Sequence, residues 1–121
     1  MSKKEIEKYI PIALQVLQEE FSSGQIPSTY NGYISSFGAS IIQSGLLPTL
    51  ALFENENAST KENKEHITKL ILKVLDKTSK QKSLLHYVLE DHKNQEYLKE
   101  KIVNISVAIK LSLRTFQLQR K

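Results

Sequence analysis

The sequence predicts an all-α protein, a single-domain bundle of about six helices, and three observations support this prediction. Apolar residues recur every three or four positions along most of the chain, which is the spacing of one helix face. No stretch alternates apolar and polar residues between turn residues, as a half-buried strand does. The chain has 121 residues, a length typical of one domain with one core. We therefore expect residues 1–121 to form a single helical domain with short connections.

The first predicted helix covers residues 3–22. Ser2, with Glu5 three positions later, forms a capping box, which is a signature of a helix N-terminus. Apolar residues then repeat at helical spacing as far as Phe21. Pro11 lies inside this pattern and has no backbone N–H, so we expect either a kink or a first turn that begins later than the capping box suggests.

The most distinctive stretch is 26–53, which holds three of the four glycines and two of the three prolines. Its first part predicts a helix over 28–44, with Ser28 as the N-cap. Such a helix carries an apolar face, which other helices must cover. The apolar residues of this face are Tyr30, Tyr33, Ile34, Phe37 and Ile41, with Ile42 beside the last.

A helix–glycine–helix corner follows this helix. Gly45 comes just after the last apolar position, where glycine readily takes the left-handed conformation of a helix C-terminus. Pro48 then lies early in a short helix over 47–54, where its missing N–H costs no hydrogen bond. A DNA-reading helix-turn-helix has a similar outline, but this second helix lacks the Arg, Lys, Asn and Gln that read base edges. We therefore assign the corner to the core.

The second half of the chain predicts a loop and a fourth helix. Residues 54–60 are polar and without periodicity, which predicts an exposed loop. Ser59 and Glu62 form another capping box at the start of a helix over 60–77. Its apolar residues are Ile67, Leu70, Ile71, Val74 and Leu75.

Two further helices complete the predicted bundle. The polar run 77–82 predicts a turn, and the apolar residues after it predict a short helix over 82–91. That pattern is interrupted near 91–94. The last helix, over 94–119, extends almost to the end of the chain.

Charge is distributed unevenly between the two halves of the chain. Residues 1–60 carry three lysines and six glutamates, giving −3, whereas residues 61–121 carry fourteen Lys or Arg and seven Asp or Glu, giving +7. The total is the formal net charge of +4. Such an asymmetry suggests that one face or end of the protein meets an anionic partner.

Two basic stripes lie in this second half, and they are the candidate site residues. For any single lysine, the simpler interpretation is a solvated surface residue that balances nearby Asp and Glu. As a set they suit a phosphate backbone, since ammonium–phosphate contacts position a strand without reading its bases. The candidates are Lys69, Lys73, Lys77, Lys80 and Lys82 on the fourth predicted helix and the following turn, and Lys110 and Arg114 on the last.

No catalytic, metal-binding or cofactor-binding residue is predicted. His86 and Glu90 share a helix face but do not form the His-Glu-x-x-His spacing of a zinc hydrolase. His66 lies alone among charged residues, and we interpret it as a solvated histidine. The sequence has no Gly-rich phosphate loop and no Gly-x-Ser-x-Gly turn. We therefore expect no enzymatic activity, no cofactor and no small-molecule substrate.

The cellular location is predicted by what the sequence lacks. It has no cysteine, which fits a reducing compartment. The N-terminal residues mix acids with lysines, unlike a secretory signal, and no run of about 18 apolar residues could span a membrane. We expect a cytoplasmic protein without membrane contact.

The stretch from Tyr33 to Phe53, YISSFGASIIQSGLLPTLALF, resembles the signature of the small helical subunit of the type III-B CRISPR (Cmr) RNA-targeting effector complex. That signature runs from a tyrosine through a helix to a glycine–leucine pair and then to a leucine–alanine–phenylalanine helix. Chain length, helical character and the basic C-terminal half agree with it. Members often carry a tryptophan in the C-terminal helix. This chain has none, and we expect Phe116 or Tyr97 to fill that packing role.

The resemblance implies a non-catalytic structural subunit of a CRISPR ribonucleoprotein effector complex in antiviral defence. Such a subunit stacks in several copies along the filament and lines the groove that holds guide and target RNA. The implied partners are other subunits, copies of itself, and guide RNA and target RNA contacted independently of sequence. The two basic stripes then become RNA-backbone candidates. The alternative is a helical protein–protein interaction module without nucleic-acid contact, whose lysines only keep it soluble.

Overall fold

The computed structural model describes residues 2–22, 24–54, 61–90 and 94–119, with only the backbone described at 61–63 and 117–119. It confirms the all-α class, and no strand occurs within these ranges. Residues 55–60 of the loop predicted over 54–60, the side chains of the Ser59–Glu62 capping box and residues 91–93 lie outside the described part of the chain. The six helices are α1 (Lys3–Glu20), α2 (Thr29–Ser44), α3 (Leu46–Phe53), α4 (Lys61–Leu75), α5 (Leu84–Glu90) and α6 (Gln95–Gln119).

Helix α1 begins where the capping box places it. The Ser2 hydroxyl oxygen accepts the Glu5 N–H at 3.3 Å, and the Ser2 N–H donates to the Asn104 side-chain oxygen of α6 at 3.2 Å. Because the helix starts at Lys3, the later start that Pro11 suggested does not occur. Pro11 lies inside the helix and is exposed.

Several helix ends differ from their predicted positions by one or two residues, and side chains explain two of them. After α4, the Asp76 carboxylate accepts the Thr78 N–H at 3.2 Å, an Asx-turn that replaces the next helical turn. Before α5, the Ser83 hydroxyl oxygen accepts the His86 N–H at 3.2 Å, which caps a helix beginning at Leu84.

The predicted role of Ser28 as the side-chain cap of α2 is wrong. Ser28 occupies the N-cap position, but its backbone is already helical (φ −62°, ψ −24°) and its hydroxyl makes no capping hydrogen bond. Backbone carbonyls replace it, since the Pro27 oxygen accepts the Tyr30 N–H at 3.1 Å. The start of α2 is therefore satisfied by a backbone turn.

The α2–α3 corner turns at Gly45, as the sequence predicts. Gly45 has φ 96° and ψ 168°, a region that residues with a Cβ atom avoid, and its N–H donates to the Ile41 carbonyl at 2.9 Å. At the corner, the rings of Phe37 and Phe53 meet edge to face with centroids 5.1 Å apart. This contact fixes α3 against α2.

We predict that Gly45→Ala lowers the free energy of unfolding by about 1–2 kcal/mol, because alanine is strained at this φ. Steric conflict is not the cause, since a Cβ atom there would approach only the Pro48 Cδ atom, at 3.8 Å. The control is Gly32→Ala in the exposed face of α2, where nothing lies within 4 Å of the added atom. It is expected to stabilise by about 0.5–1 kcal/mol. Urea unfolding of the wild type, Gly45→Ala and Gly32→Ala measures these changes in the free energy of unfolding. Equal stability of the two variants would exclude backbone strain at Gly45.

Helix α6 is the centre of the bundle, and α1, α2 and α4 pack around it. Its fully buried residues include Ile102, Ile105 and Ile109. Of the two aromatic residues expected to replace a tryptophan, Phe116 is 7% exposed and Tyr97 is 59% exposed, so only Phe116 packs in the core. None of the helices in the described ranges is long and apolar enough to cross a membrane.

The apolar face predicted for α2 is largely buried. Tyr30, Ile34, Phe37 and Ile41 are in the core, and Tyr33 is partly buried against it. Ile42 departs from the prediction, since its side chain is 71% exposed. Its place on α2 is one residue beyond the buried stripe, which turns it toward the outer surface.

Candidate nucleic-acid interface

The lysine stripe Lys69, Lys73 and Lys77, whose last member follows the end of α4, lies along a cleft at the C-terminal end of that helix. Lys69, Lys73 and Lys77 have side chains that are 53%, 47% and 59% exposed. Together with Lys82 they line a cleft of about 240 Å³ between α4 and the segment that follows it. Lys80 is exposed in the same segment but does not line the cleft. The structure thus brings four of the five candidates in this region into one cleft.

A second cleft, of about 370 Å³, adjoins the first. Lys69 and Lys82 line both, and the second also has Ser83 and His86 on its walls. His86 is held by Ser83, whose hydroxyl oxygen lies 2.7 Å from His86 Nδ1. The two clefts are therefore neighbours, with Lys69 and Lys82 at their boundary.

Each of the three stripe lysines meets a carboxylate. Lys69 Nζ lies 3.4 Å from Glu65 one turn earlier in α4. The other two reach across to α1: Lys77 Nζ lies 3.0 Å from the Glu19 carboxylate, and Lys73 pairs with Glu20. Exposed pairs of this kind contribute about 0–1 kcal/mol each, so phosphate groups can exchange with the carboxylates. In the described part of the chain, Lys80 and Lys82 have no ion pair.

The two candidates on α6 line neither of these clefts. Lys110 is half-buried and lines a different groove, between α2 and α6, while Arg114 is exposed further along α6. No residue lines both the groove between α2 and α6 and the cleft at the C-terminal end of α4, which we call the α4 cleft. The sequence placed all seven candidates in one set, and the structure divides them into two regions.

The interpretation of His66 as a solvated histidine is wrong. Its side chain is 25% exposed, and both ring nitrogens are engaged. Nε2 lies 3.0 Å from the Glu20 carboxylate, and Nδ1 lies 2.6 Å from the Tyr30 hydroxyl oxygen. Because an ionised carboxylate only accepts, Nε2 donates to Glu20. In the neutral imidazole, Nδ1 then accepts the Tyr30 hydrogen. The Phe21 ring packs on both the His66 and the Tyr30 rings.

This Tyr30–His66–Glu20 chain has the order of a nucleophile, base and orienting acid, but its surroundings favour a structural role. Tyr30 is 4% exposed, so a substrate has little access to it. Burial raises the Tyr30 pKa above its usual value of 10.0, and the nearby charge of Glu20 raises it further, which keeps the hydroxyl protonated. The hydrogen bonds of Tyr30, His66 and Glu20 join α1, α2 and α4.

Glu20 connects the hydrogen bonds of His66 and Tyr30 to the lysine stripe. Burial alone would raise the pKa of its carboxyl group, but hydrogen bonds from Lys73 and His66, with the electrostatic attraction of these groups, hold the pKa below its usual value of 4.5. Within the described ranges, no three His, Asp or Glu side chains converge as metal ligands.

The sequence alone did not identify Glu19 and Glu20 as partners of the stripe. One signal was present: two acids end α1, where the partial negative charge of the helix C-terminus disfavours them and no basic residue of the same turn compensates. An acid in that position indicates a cation from another element. Because Glu20 and Lys73 are far apart in the sequence, the sequence does not show which cation pairs with Glu20.

A protein-family model matches most of the helical bundle and both clefts beside α4. The model of the CRISPR-associated protein family Cas_Cmr5 matches residues 6–109. That range contains the Gly45 corner, the paired acids of α1 and the five lysines from Lys69 to Lys82, whereas Lys110 and Arg114 follow it. Searches of curated proteins and of solved structures find no match. Because the family model covers most of the sequence, the chain belongs to the Cas_Cmr5 family of CRISPR-associated proteins.

Proposed function

We propose that this protein is a non-catalytic structural subunit of a CRISPR ribonucleoprotein effector complex in the cytoplasm. It stacks along the filament with copies of itself and other subunits, and it contacts the guide and target RNA backbone in antiviral defence. The family supports complex membership. The single observation that carries the RNA contact is the convergence of four lysines on the α4 cleft, within the family-matched region.

The cleft suits a phosphate backbone better than a base-reading site. Its cations are ammonium groups on flexible stems, which contact phosphates without selecting a sequence. The carboxylates of Glu19 and Glu20 hold Lys77 and Lys73 in place when no RNA is bound. RNA then competes with these carboxylates, so the isolated protein is expected to bind weakly and with strong salt dependence.

Three neutralising substitutions test this contact: Lys69→Gln, Lys77→Gln and Lys82→Gln in one variant. Lys73 is left unchanged because it also holds Glu20. Fluorescence anisotropy with a labelled single-stranded RNA over a range of salt concentrations gives the slope of log K against log salt. We expect the slope to fall by about 2, since each lost phosphate contact on a single strand removes about 0.7.

The matched control carries Lys3→Gln, Lys4→Gln and Lys8→Gln at the start of α1, where all three lysines are exposed. It has the same net charge as the test variant but keeps the α4 cleft intact. We expect its slope to stay close to that of the wild type. Equal losses in both triple variants would mean that net charge, and not this cleft, attracts RNA.

The alternative, a protein–protein interaction module without nucleic-acid contact, is favoured by one observation. Each of the stripe lysines Lys69, Lys73 and Lys77 is already paired with a carboxylate, which reduces the positive field of the cleft. Under this alternative, the assembled complex retains target RNA equally with wild-type protein and with the cleft variant. A loss of target RNA from complexes that contain the cleft variant would reject it.

A further inference from the structure

The outer surface of α2 carries no charged residue. The sequence contains no Asp, Glu, Lys, Arg or His from residue 21 to residue 53, although a quarter of the whole chain is charged. The exposed positions of α2 are small or uncharged and include Gly32, Ser36, Ala39 and Gln43. Among them stands Ile42, a large apolar side chain that is 71% exposed. Solvated helix faces of soluble proteins normally carry charges, so this face is unusual for a surface that stays in water.

A groove of about 170 Å³ lies beside Ile42, between α2 and α6. Gly38 and Ala39 of α2 and Val103 and Val107 of α6 form its walls. The groove is open because these residues are small. A Cβ atom added at Gly38 would have the Ser106 hydroxyl oxygen as its nearest neighbour, at 3.5 Å, so there is room for a side chain that the sequence does not supply. We call this surface, with Ile42 at its edge, the α2–α6 groove.

Only one charged side chain lines the α2–α6 groove. Lys110 lies on its wall, and within the described residues no carboxylate pairs with it. No acidic side chain lines the groove. An occupant that brought several charges would lose their hydration without gaining countercharges, which is costly. RNA is therefore a poor occupant, because its phosphates would meet a single ammonium group and an otherwise uncharged surface.

We propose that the α2–α6 groove docks an α-helix of another protein subunit of the effector complex, with an uncharged contact face except for one carboxylate that meets Lys110. This inference rests on the complex membership in the proposed function. Residues at helical spacing on two neighbouring helices form a groove into which the ridge of a third helix can pack. The small residues Gly38 and Ala39 allow close approach, and Ile42 supplies the apolar anchor at the edge.

The test measures how much of this chain a tagged second subunit retains when the subunits of the complex are expressed together. Ile42→Glu and Ile42→Ser are the main variants, and circular dichroism checks their folding, which we expect to be intact because Ile42 is exposed. Ile42→Glu is expected to reduce retention about tenfold, because it puts a charge where the apolar anchor would contact the partner helix. Ile42→Ser is expected to reduce it less. Lys110→Glu should reduce retention more than Lys110→Gln, since it sets like charges against each other.

Leu89→Glu is the matched control. Leu89 is a large apolar side chain on α5, 49% exposed and outside the groove. Retention of this control at the wild-type level, with loss of Ile42→Glu, would support the groove. Full retention of both Ile42 variants, or equal loss of Leu89→Glu, would overturn it.

Two further outcomes separate this inference from the proposed function. If the isolated wild-type chain is a dimer by light scattering and Ile42→Glu makes it a monomer, a second copy occupies the groove and the inference is overturned. If the groove variants lose only RNA and remain in the complex, it is overturned as well. The cleft variant Lys69→Gln, Lys77→Gln and Lys82→Gln should be retained normally, so failure of the RNA contact leaves the docking result unchanged. A wild-type chain that no subunit retains would reject complex membership itself, and the inference with it.

Discussion

Replacing Phe37 by alanine is expected to lower the free energy of unfolding by about 3–5 kcal/mol, the largest effect of any substitution considered for this protein. Phe37 is completely buried in α2, and its ring meets the Phe53 ring of α3 edge to face. Alanine would remove the apolar area, the aromatic contact and the volume that separates the two helices of the corner. The neighbouring helices can close such a cavity only in part.

The measurement is urea or thermal unfolding followed by circular dichroism, with Ile42→Ala as the control on the same helix. Ile42 is 71% exposed, so we expect its change to stay within about 0.5 kcal/mol. Similar losses in the two variants would show that the substitutions act through helix α2 itself and not through the core. A Phe37→Ala protein as stable as the wild type would contradict the packing of the corner.

Features that depend on residues close in sequence were predictable. Gly45 ends α2 because the apolar pattern stops there and only glycine adopts that φ readily. Phe37 falls on the buried face because residues three and four apart share one side of a helix. The Ser2 cap of α1 and the absence of strands in the described ranges follow in the same way. Each of these depends on interactions within about one helical turn.

Features that depend on distant residues were not predictable, and His66 is the clearest case. Its partners Tyr30 and Glu20 lie 36 and 46 positions away on other helices, so its neighbours in the sequence indicate only a polar surface. The same holds for the lysine stripe. The spacing of Lys69, Lys73 and Lys77 shows that they share a face, but the acids that neutralise Lys73 and Lys77 come from α1. A helix pattern identifies a face without identifying what packs against it.

The pairing of α1 with the stripe connects stability with the proposed RNA contact. Glu20 bonds both to Lys73, in the cleft, and to His66, in the chain that joins three helices. Under the proposed function, a phosphate that drew Lys73 away would leave Glu20 bound to His66, so the α1–α4 contact would be kept. The cleft would then exchange partners while the bundle stayed intact.

The second large effect is expected for Glu20→Ala, which should lower the free energy of unfolding at neutral pH by about 1.5–3 kcal/mol, the usual contribution of hydrogen bonds to a charged group. The control is Glu19→Ala at the preceding position. Glu19 is 47% exposed and contacts Lys77 and, through a long 3.5 Å hydrogen bond, the Gln15 amide, so its loss is expected to cost about 1 kcal/mol or less. Both substitutions replace the same residue type in the last turn of α1, so effects on helix propensity and on the helix dipole largely cancel in the comparison.

The pH dependence identifies the carboxylate as the cause. The pKa of Glu20 in the folded protein is below its usual value of 4.5, so the folded state favours the ionised form. The contribution of Glu20 is therefore complete above about pH 4.5 and is lost as the pH falls through the lowered folded-state pKa. In urea unfolding at a series of pH values, the difference between wild type and Glu20→Ala should be constant near neutrality and shrink below pH 4.5. A difference that stays the same at every pH would mean that Glu20 stabilises the bundle through packing. A carboxylate that acts through its bonds to Lys73 and His66 loses this contribution when it is protonated.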